Sequence, residues 1–292
     1  MTTTVIGATG KVGSAVVRRL LAAGQPVRAY VRDPDKARRL FGQPDGLEIR
    51  AGRLDDPGGL AAGLDGASCV FMALGSDGAE GHLQRAVVGT AGTSAALRQL
   101  VRLSVLNASP TSLGLNQRAH WAIDLAAAAA RVPYTTIRPA IFSASLLAGA
   151  AEIRARRAWT GLADTGQVPL ISHHDVAEAA ALILTEPAAW GTHHDLTGPV
   201  LLSWPDAMAL LSAELGYPVS FETLPERQFL ARLTEAGVAP GPAELLITRE
   251  WAIRAGENER LTATFRELTG HAPGTVAEFL HDNRQQFLPP AA

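Results

Sequence analysis

Only one cysteine occurs in the 292 residues, Cys69. A single thiol excludes an internal disulfide and any multi-cysteine metal site. Inside the apolar run Cys69-Val70-Phe71-Met72 it reads as a small buried hydrophobe. Charge of one sign is also lacking: 26 Lys and Arg against 28 Asp and Glu leave a formal net charge of −2, with no dense basic block. Binding nucleic acid calls for a basic face that neutralises phosphates, so the composition argues against that partner. Long hydrophobic runs are missing too. The richest Ala/Leu stretch, around Leu125–Ala130, is bounded by Asp124 and Arg131 and is too short to span a bilayer. Thr2-Thr3-Thr4-Val5-Ile6 reads straight into a strand with no cationic segment before an h-region, so a cytoplasmic protein is expected. What is present, 47% hydrophobic and 18% charged residues, is the make-up of a folded chain. Its length suits one large α/β domain, or a domain carrying a smaller lobe.

Short β-branched runs alternate with helix-period segments in the first half, which predicts βαβ units and a parallel sheet. Strands are expected at Thr3–Ile6, Val27–Val31, Leu47–Ala51, Ser68–Ala73, Val101–Ser104 and Tyr134–Arg138. Helices are expected at Lys11–Ala23, Pro34–Leu40, Gly58–Leu64, Ala79–Gln99 and Leu115–Arg131, the first with Val12, Val16 and Leu20 on one face. After residue 140 the rhythm changes. Asp175–Thr185 is helical with Asp175 as its N-cap, and His194–Leu196 adds a last strand. From Ser203 onward, short helices follow one another, joined by Pro and Gly: Trp204–Leu215, Glu226–Ala236, Ala243–Ala255, Thr262–Thr269 and Val276–Phe287.

Gly7-Ala8-Thr9-Gly10-Lys11-Val12-Gly13 lies where the first strand turns into the first helix. Gly7 permits the tight turn, Gly10 lets backbone approach a pyrophosphate, and Gly13 lets the helix pack closely on the sheet. The helix N-terminus then offers free N–H groups and a positive dipole to phosphates. At the end of the second strand, dinucleotide proteins choose between NAD and NADP: an acidic residue takes the ribose 2′-hydroxyl, an Arg takes the 2′-phosphate. Here Tyr30-Val31-Arg32 is followed by Asp33-Pro34-Asp35-Lys36. Arg32 stands where a 2′-phosphate would lie, which points to NADP(H). The alternative is a solvated Arg32 with Asp33 on the ribose of NAD.

GATGKVG at the start, VRDPDKA after the second strand, TTIRPAIF at the sixth, and HDVAEAAALILTEP and DLTGPVLLS further on form an ordered series. The series resembles the NmrA-like group of atypical short-chain dehydrogenases/reductases, over nearly the whole chain. That group includes quinone, azo-dye and triphenylmethane reductases, isoflavone-type reductases and non-catalytic NADP sensors. The resemblance implies a Rossmann-type α/β fold, a doubly wound parallel sheet with a smaller, mostly helical C-terminal lobe, and a substrate cleft between them. The Rossmann domain would span residues 1–155, completed by about 170–198, with the substrate lobe at 199–292. Dinucleotide contacts are implied for Gly7, Ala8, Thr9, Gly10, Lys11, Val12, Gly13 and Arg32. Further contacts are implied for Ala73, Leu74 and Gly75 after the fourth strand. Pro139, Ala140 and Ile141 would lie against the nicotinamide. Leu54 would line the adenine, although Arg53 stands where relatives usually have Asp.

In short-chain dehydrogenases a Tyr donates the proton as hydride arrives and a Lys lowers its pKa. Counted back from Ile137-Arg138-Pro139, the resemblance puts the Lys position at His120 and the Tyr position at Asn116, with Ser104 in the Ser region. There is no Tyr–Lys pair, and Tyr134 belongs to a strand. His120 then has two readings: a hydrogen-bond donor to the nicotinamide ribose or proton relay helped by Asp124 one turn on, or a helix-face histidine between Ala119 and Trp121. Asn116 and Ser104 are able to polarise a carbonyl but neither is a competent acid. Ser94-Ala95-Ala96, on the long fourth helix, are further cleft candidates.

His173-His174-Asp175 and His193-His194-Asp195 resemble ligand sets only superficially, because adjacent residues of an extended segment point to opposite sides, and no metal is expected. Trp159, Trp204, Trp251 and Phe142 are expected mainly in packing. A site that delivers hydride without a strong proton donor suits a small-molecule aromatic substrate that is easily reduced or carries its own acid. The expectation is an NADPH-dependent reductase of a bulky aromatic ketone or quinone, similar to the atypical ketoreductases that tailor angucycline polyketides. A quinone, azo-dye or triphenylmethane reductase and a non-catalytic NADP sensor are the alternatives.

Overall fold

The computed structural model describes residues 2–75, 78–130, 133–191 and 193–289. The chain begins β1 (Thr3–Ile6), α1 (Lys11–Ala22), β2 (Val27–Val31), α2 (Pro34–Phe41), β3 (Leu47–Ala51), α3 (Pro57–Leu64) and β4 (Cys69–Met72). It continues with α4 (Gly78–Ala91), β5 (Gln99–Leu103), α5 (Leu115–Ala129), β6 (Tyr134–Pro139), α6 (Ala150–Arg156), β7 (Ala158–Gly161), α7 (His173–Thr185) and β8 (His193–Leu196). The last elements are α8 (Trp204–Leu215), β9 (Ser220–Thr223), α9 (Glu226–Glu235), α10 (Pro240–Arg254), α11 (Thr264–Thr269) and α12 (Val276–Asp282).

Two compact units result. The first comprises Met1–Ser104, Ala119–Arg138 and His173–Asp195; the second comprises Val105–Arg118, Pro139–Ser172 and Leu196–Ala292. Residues 105–118 and 139–172 cluster with the C-terminal part of the chain.

The first unit is built on a seven-stranded sheet in the order β3-β2-β1-β4-β5-β6-β8, with the neighbours among β1–β6 parallel. This is the Rossmann-type architecture that the strand–helix alternation predicts. Helices cover both faces, so β1 and β4 are buried at every position and read as continuous apolar or Thr runs instead of alternating ones. On one face α1 and α7 pack together, with Arg19 Nη2 3.1 Å from Glu178 Oε2. The other face buries Ile6, Tyr30, Leu60, Val70, Met72, Val88 and Leu100 in one core. Val12, Val16 and Leu20 of α1 are buried as their spacing predicts, and so is Cys69. Strand order reverses at β1, whose neighbours are β2 and β4, and a crevice at the carboxyl ends of such strands is where open α/β sheets bind ligands.

Several boundaries differ from the sequence reading. α4 stops at Ala91, not near Gln99: Thr93 and Ser94 make i→i−3 bonds to Thr90 and Ala91, and Gln99 is already paired with Cys69 in the sheet. Ser94-Ala95-Ala96 thus lie in a turn region off the helix, where Ala's helix propensity was overridden. Asp175 is not an N-cap. α7 begins two residues earlier, at His173, and Asp175 sits inside its first turn.

In the second unit α8 has a capping box between Ser203 and Asp206 and ends on Gly216 at φ +80°, and α12 has another between Thr275 and Glu278. Trp159 and Trp204 meet edge-to-face at 5.2 Å within a core shared with Leu211, Ile253 and Phe287, so these tryptophans are packing residues. The C-terminal part is not all helix. β7 and β9 form a parallel pair that the sequence reading lacks, because each has only four residues and no clear alternation. A Cβ on Gly161 would lie 2.7 Å from the Phe221 ring, so glycine permits that pairing.

Candidate active site

The glycine loop follows β1 directly. Gly7 has φ +80°, a conformation that favours glycine, and a Cβ there would meet the Ala73 carbonyl at 2.1 Å. Two strand ends are thereby held against each other at the point where strand order reverses. A Cβ on Gly13 would meet the Gly7 carbonyl at 2.1 Å, so its role is to let α1 close on the loop itself, not on the sheet. Gly10 differs from both. A Cβ there would touch only the Gly7 carbonyl, at 3.2 Å, so the loop does not itself require glycine at this exposed position. Gly10 is the N-cap of α1 and no side chain caps the helix, so the first-turn N–H groups have no competing side-chain acceptor. The arrangement suits a phosphate group, and Ala8, Lys11 and Val12 lie beside it, Ala8 and Val12 buried and Lys11 exposed.

A pocket extends from this loop along the ends of β2 and β3, lined by Gly7, Ala8, Thr9, Tyr30, Arg32, Arg53, Leu54 and Leu74 among others. Arg32 is exposed there. Asp33, in contrast, accepts from Lys36 N at 2.8 Å as the N-cap of α2, with Pro34 following in the first turn. The acidic residue of the pair is therefore engaged in local structure and the basic one faces the pocket. Tyr30 was not foreseen as a lining residue. Its ring packs where side chains on Gly52 and Gly63 would clash, and its hydroxyl donates to the Arg53 carbonyl at 3.0 Å. Burial raises the pKa of its phenol, with Asp56 the next cause. Arg53 forms a forked pair with Asp55 at 2.8 and 2.5 Å on the rim.

The chemistry expected around α5 takes a different form from the sequence reading. Arg102, wholly buried on β5, reaches three groups at once. Its Nη1 pairs with Asp124 Oδ1, its Nη2 lies 2.6 Å from His120 Nδ1, and its Nε donates to Gln84 Oε1 at 3.1 Å. Asp124 Oδ2 also accepts from Ser104 Oγ and from Arg138 Nη2, each at 3.1 Å. Guanidinium has donors only, so His120 Nδ1 accepts and the ring hydrogen sits on Nε2. Burial and the neighbouring Arg102 charge hold the His120 pKa well below 6.5. Burial also brings the Arg102 pKa down to about 10, against the attraction of Asp124.

His120 is therefore a neutral imidazole, and Asp124 does not assist it directly, as the i,i+4 spacing had suggested. Arg102 stands between them. Ser104 is bound to Asp124, which makes it part of the network. No sequence pattern pointed to Arg102, because an Arg within an apolar strand has no local periodicity to identify its partners. Gln84 Nε2 in turn donates to Gly75 O at 2.5 Å, with Leu74 O at 3.5 Å, so the loop after β4 is tied to the same network.

Asn116, Pro139, Ala140 and Ile141 belong to the second unit. Ala140 N donates to Leu196 O at 2.8 Å, and Pro139 O accepts from Leu106 N at 2.8 Å, which fixes the backbone of that segment. His173 and His174 are not extended but open α7, with rings 4.0 Å apart. Among the described residues no group of three or more His, Cys, Asp or Glu is arranged to hold a metal ion. No helix of the described residues is long and apolar enough to cross a membrane.

Comparison with known proteins agrees with this geometry. The NAD(P)H-binding family matches residues 7–187. An NAD(P)H azoreductase of Xenophilus azovorans is 30% identical over 290 residues, 97% of this chain and 98% of the relative. A (4-alkanoyl-5-oxo-2,5-dihydrofuran-3-yl)methyl phosphate reductase of Streptomyces griseus is 30% identical over 286 residues, 98% of this chain and 99% of the relative. The crystal structure of an Escherichia coli NADPH-dependent quinone oxidoreductase complexed with NADPH superposes with a TM-score of 0.89 at 26% identity, covering 97% of this chain and 99% of that one. The glycine loop, the pocket beside Arg32 and these likenesses agree: the chain belongs to the NAD(P)H-binding family and is an NAD(P)H-dependent oxidoreductase.

Proposed function

We propose that this protein is an NADPH-dependent reductase of bulky aromatic ketones or quinones, of the kind found in polyketide (angucyclinone-type) biosynthesis, and that the substrate supplies or dispenses with the proton. The cofactor is NADP(H): Arg32 faces the adenosine end of the pocket while Asp33 caps α2. Bound NADPH supplies hydride. The chain's own residues hold it, through uncapped N–H groups of α1 at the pyrophosphate and Arg32 at the 2′-phosphate.

One observation carries the substrate reading. Where short-chain dehydrogenases place their Tyr–Lys acid, this chain has Asn116 and a His120 kept neutral by Arg102. A neutral imidazole donates a hydrogen bond through Nε2 but is a weak acid. Simple ketones need a proton as hydride arrives, and general acids contribute about 10²–10⁴-fold to such steps. Quinones are reduced without that help, and a ketone beside a phenol or enol is polarised by its internal hydrogen bond. The activities named for the relatives, on azo compounds, quinones and an alkanoyl dihydrofuranone phosphate, are reductions of conjugated, electron-poor acceptors and support the same class.

The test is NADPH oxidation with a panel of quinones, aromatic ketones carrying a neighbouring hydroxyl, and the same ketones without it. Turnover should fall by at least about 10²-fold when the hydroxyl is removed, the usual contribution of an acid. Undiminished turnover would sink the substrate-assisted mechanism.

A further inference from the structure

We infer that Arg102 and Gln84 are positioning residues that join the cofactor loop to the His120 turn of α5: Arg102 fixes the imidazole as a donor through Nε2, and Gln84 fixes the loop carbonyls after β4. The inference rests on the proposed reading of His120 as a non-acid and extends it to the residues that make it so.

The geometry is continuous. Gly75 O accepts from Gln84 Nε2, Gln84 Oε1 accepts from Arg102 Nε, and Arg102 Nη2 donates to His120 Nδ1. Each link uses a different atom, so one guanidinium serves α4, α5 and the strand it stands on. A buried Arg is costly unless its donors are satisfied, and here Nε, Nη1 and Nη2 all have partners. The charged groups around His120 are Arg102 on β5, Arg138 on β6 and Asp124 on its own helix, with Gln84 of α4 and Ser104 beyond β5 as neutral polar neighbours. Two guanidinium groups face one carboxylate. A third positive charge on the imidazole would raise that imbalance, and Arg102 already occupies Nδ1 of the ring and Oδ1 of Asp124.

The carbonyls held by Gln84 belong to Leu74 and Gly75, and Leu74 lines the pocket that begins at the glycine loop. Loss of Gln84 therefore frees pocket backbone and one Arg102 donor, Nε, while the separate contact between Arg102 Nη2 and His120 Nδ1 stays in place. Loss of Arg102 frees both and removes the neighbouring cation that opposes protonation of His120. These consequences separate a positioning role from simple packing.

Nitrogen NMR of the ring, assigned by its loss in His120→Gln, tests the first link in the whole protein without any substrate. The wild-type ring should remain the neutral Nε2–H form from pH 8 to about pH 6, since burial and the neighbouring Arg102 charge oppose protonation. In Arg102→Met the same ring should take up its proton at a higher pH than in the wild type, and Arg102→Lys, which keeps a buried cation, should restore the wild-type behaviour. If Arg102→Met does not fold, the wild-type and Arg102→Lys spectra carry the test. Gln84→Leu should leave the tautomer unchanged and weaken NADPH binding, measured by calorimetry, about tenfold, as expected for a lost hydrogen-bond pair.

A wild-type imidazolium above pH 6, an Nδ1–H tautomer, or an unchanged NADPH affinity in Gln84→Leu would each overturn the inference. The acceptor panel addresses the substrate class separately, because the ring spectra and NADPH affinities involve no acceptor. Arg102 would then hold the imidazole as described even if the preferred substrate were a different one.

Discussion

Two stretches of the same sheet solve opposite problems. At the β1–β2 end the chain removes side chains: Gly7 and Gly13 leave room for backbone, and the charges there, Lys11, Arg32, Arg53 and Asp55, are exposed. At the β5–β6 end it buries charges, with Arg102 wholly enclosed and Asp124 nearly so. The first arrangement suits a ligand that brings its own negative charge and needs N–H donors. The second has its charges satisfied internally, so it orients groups more readily than it exchanges protons. The difference teaches that one sheet can carry, at one end, an open loop suited to an anionic ligand and, at the other, a closed network of internally paired charges.

The largest expected effect breaks the buried end. Asp124→Asn leaves Arg102 and Arg138 beside each other without their common carboxylate and should cost about 3–5 kcal/mol of stability, read by chemical denaturation. A cost below about 1 kcal/mol would mean that the network is no more than a surface-strength pair.

Next come two glycines that look alike in the sequence. Gly13→Val forces a side chain into the Gly7 backbone and should destabilise the fold by about 2–4 kcal/mol or more. Gly10→Val meets only one backbone oxygen at 3.2 Å, so the fold should largely survive while NADPH affinity drops about a hundredfold or more. Equal melting temperatures for the two variants would erase the distinction. Arg32→Ala acts on affinity alone: NADPH binding should weaken by about 1.5–3 kcal/mol and NADH binding hardly change. Equal weakening of both would make Arg32 a general binding residue and leave the NADP preference without a cause.

The smallest effect is in pH dependence. His120 has a lowered folded pKa, so the unfolded chain binds more protons below its ordinary value of 6.5. Its contribution to stability is present above pH 6.5 and is lost as pH falls from there toward the folded value. His173, lowered to about 4 by burial and the charges of His174 and Lys11, adds in the same direction between pH 6.5 and about 4. The melting temperature should therefore fall across that window, and the fall should be shallower in His120→Gln. Turnover between pH 7 and 8 should show no inflection from His120; one that His120→Gln abolishes would return the imidazole to the role of acid.

Much of the first unit was legible because its signals are local. Strand composition, the spacing of Val12, Val16 and Leu20 and the three glycines each act within one or two turns of chain. Asp175 misled because Asp is also favoured within a first turn, and Ser94-Ala95-Ala96 because Ala propensity carries no information about where a sheet needs its next strand. The pair β7–β9 was hidden by sequence separation, with 58 residues between Gly161 and Ser220.

The sequence by itself determined the dinucleotide loop, the basic residue beside it and the lack of a Tyr–Lys pair, since each is a matter of which residue stands at a short, fixed spacing from a strand end. Tertiary structure alone decided what His120 is. Its charge state depends on Arg102, 18 positions away on another element, and on Asp124 being bound by two guanidinium groups and a serine. Burial makes those distances matter, because an ion pair screened at the surface becomes a dominant force once water is removed.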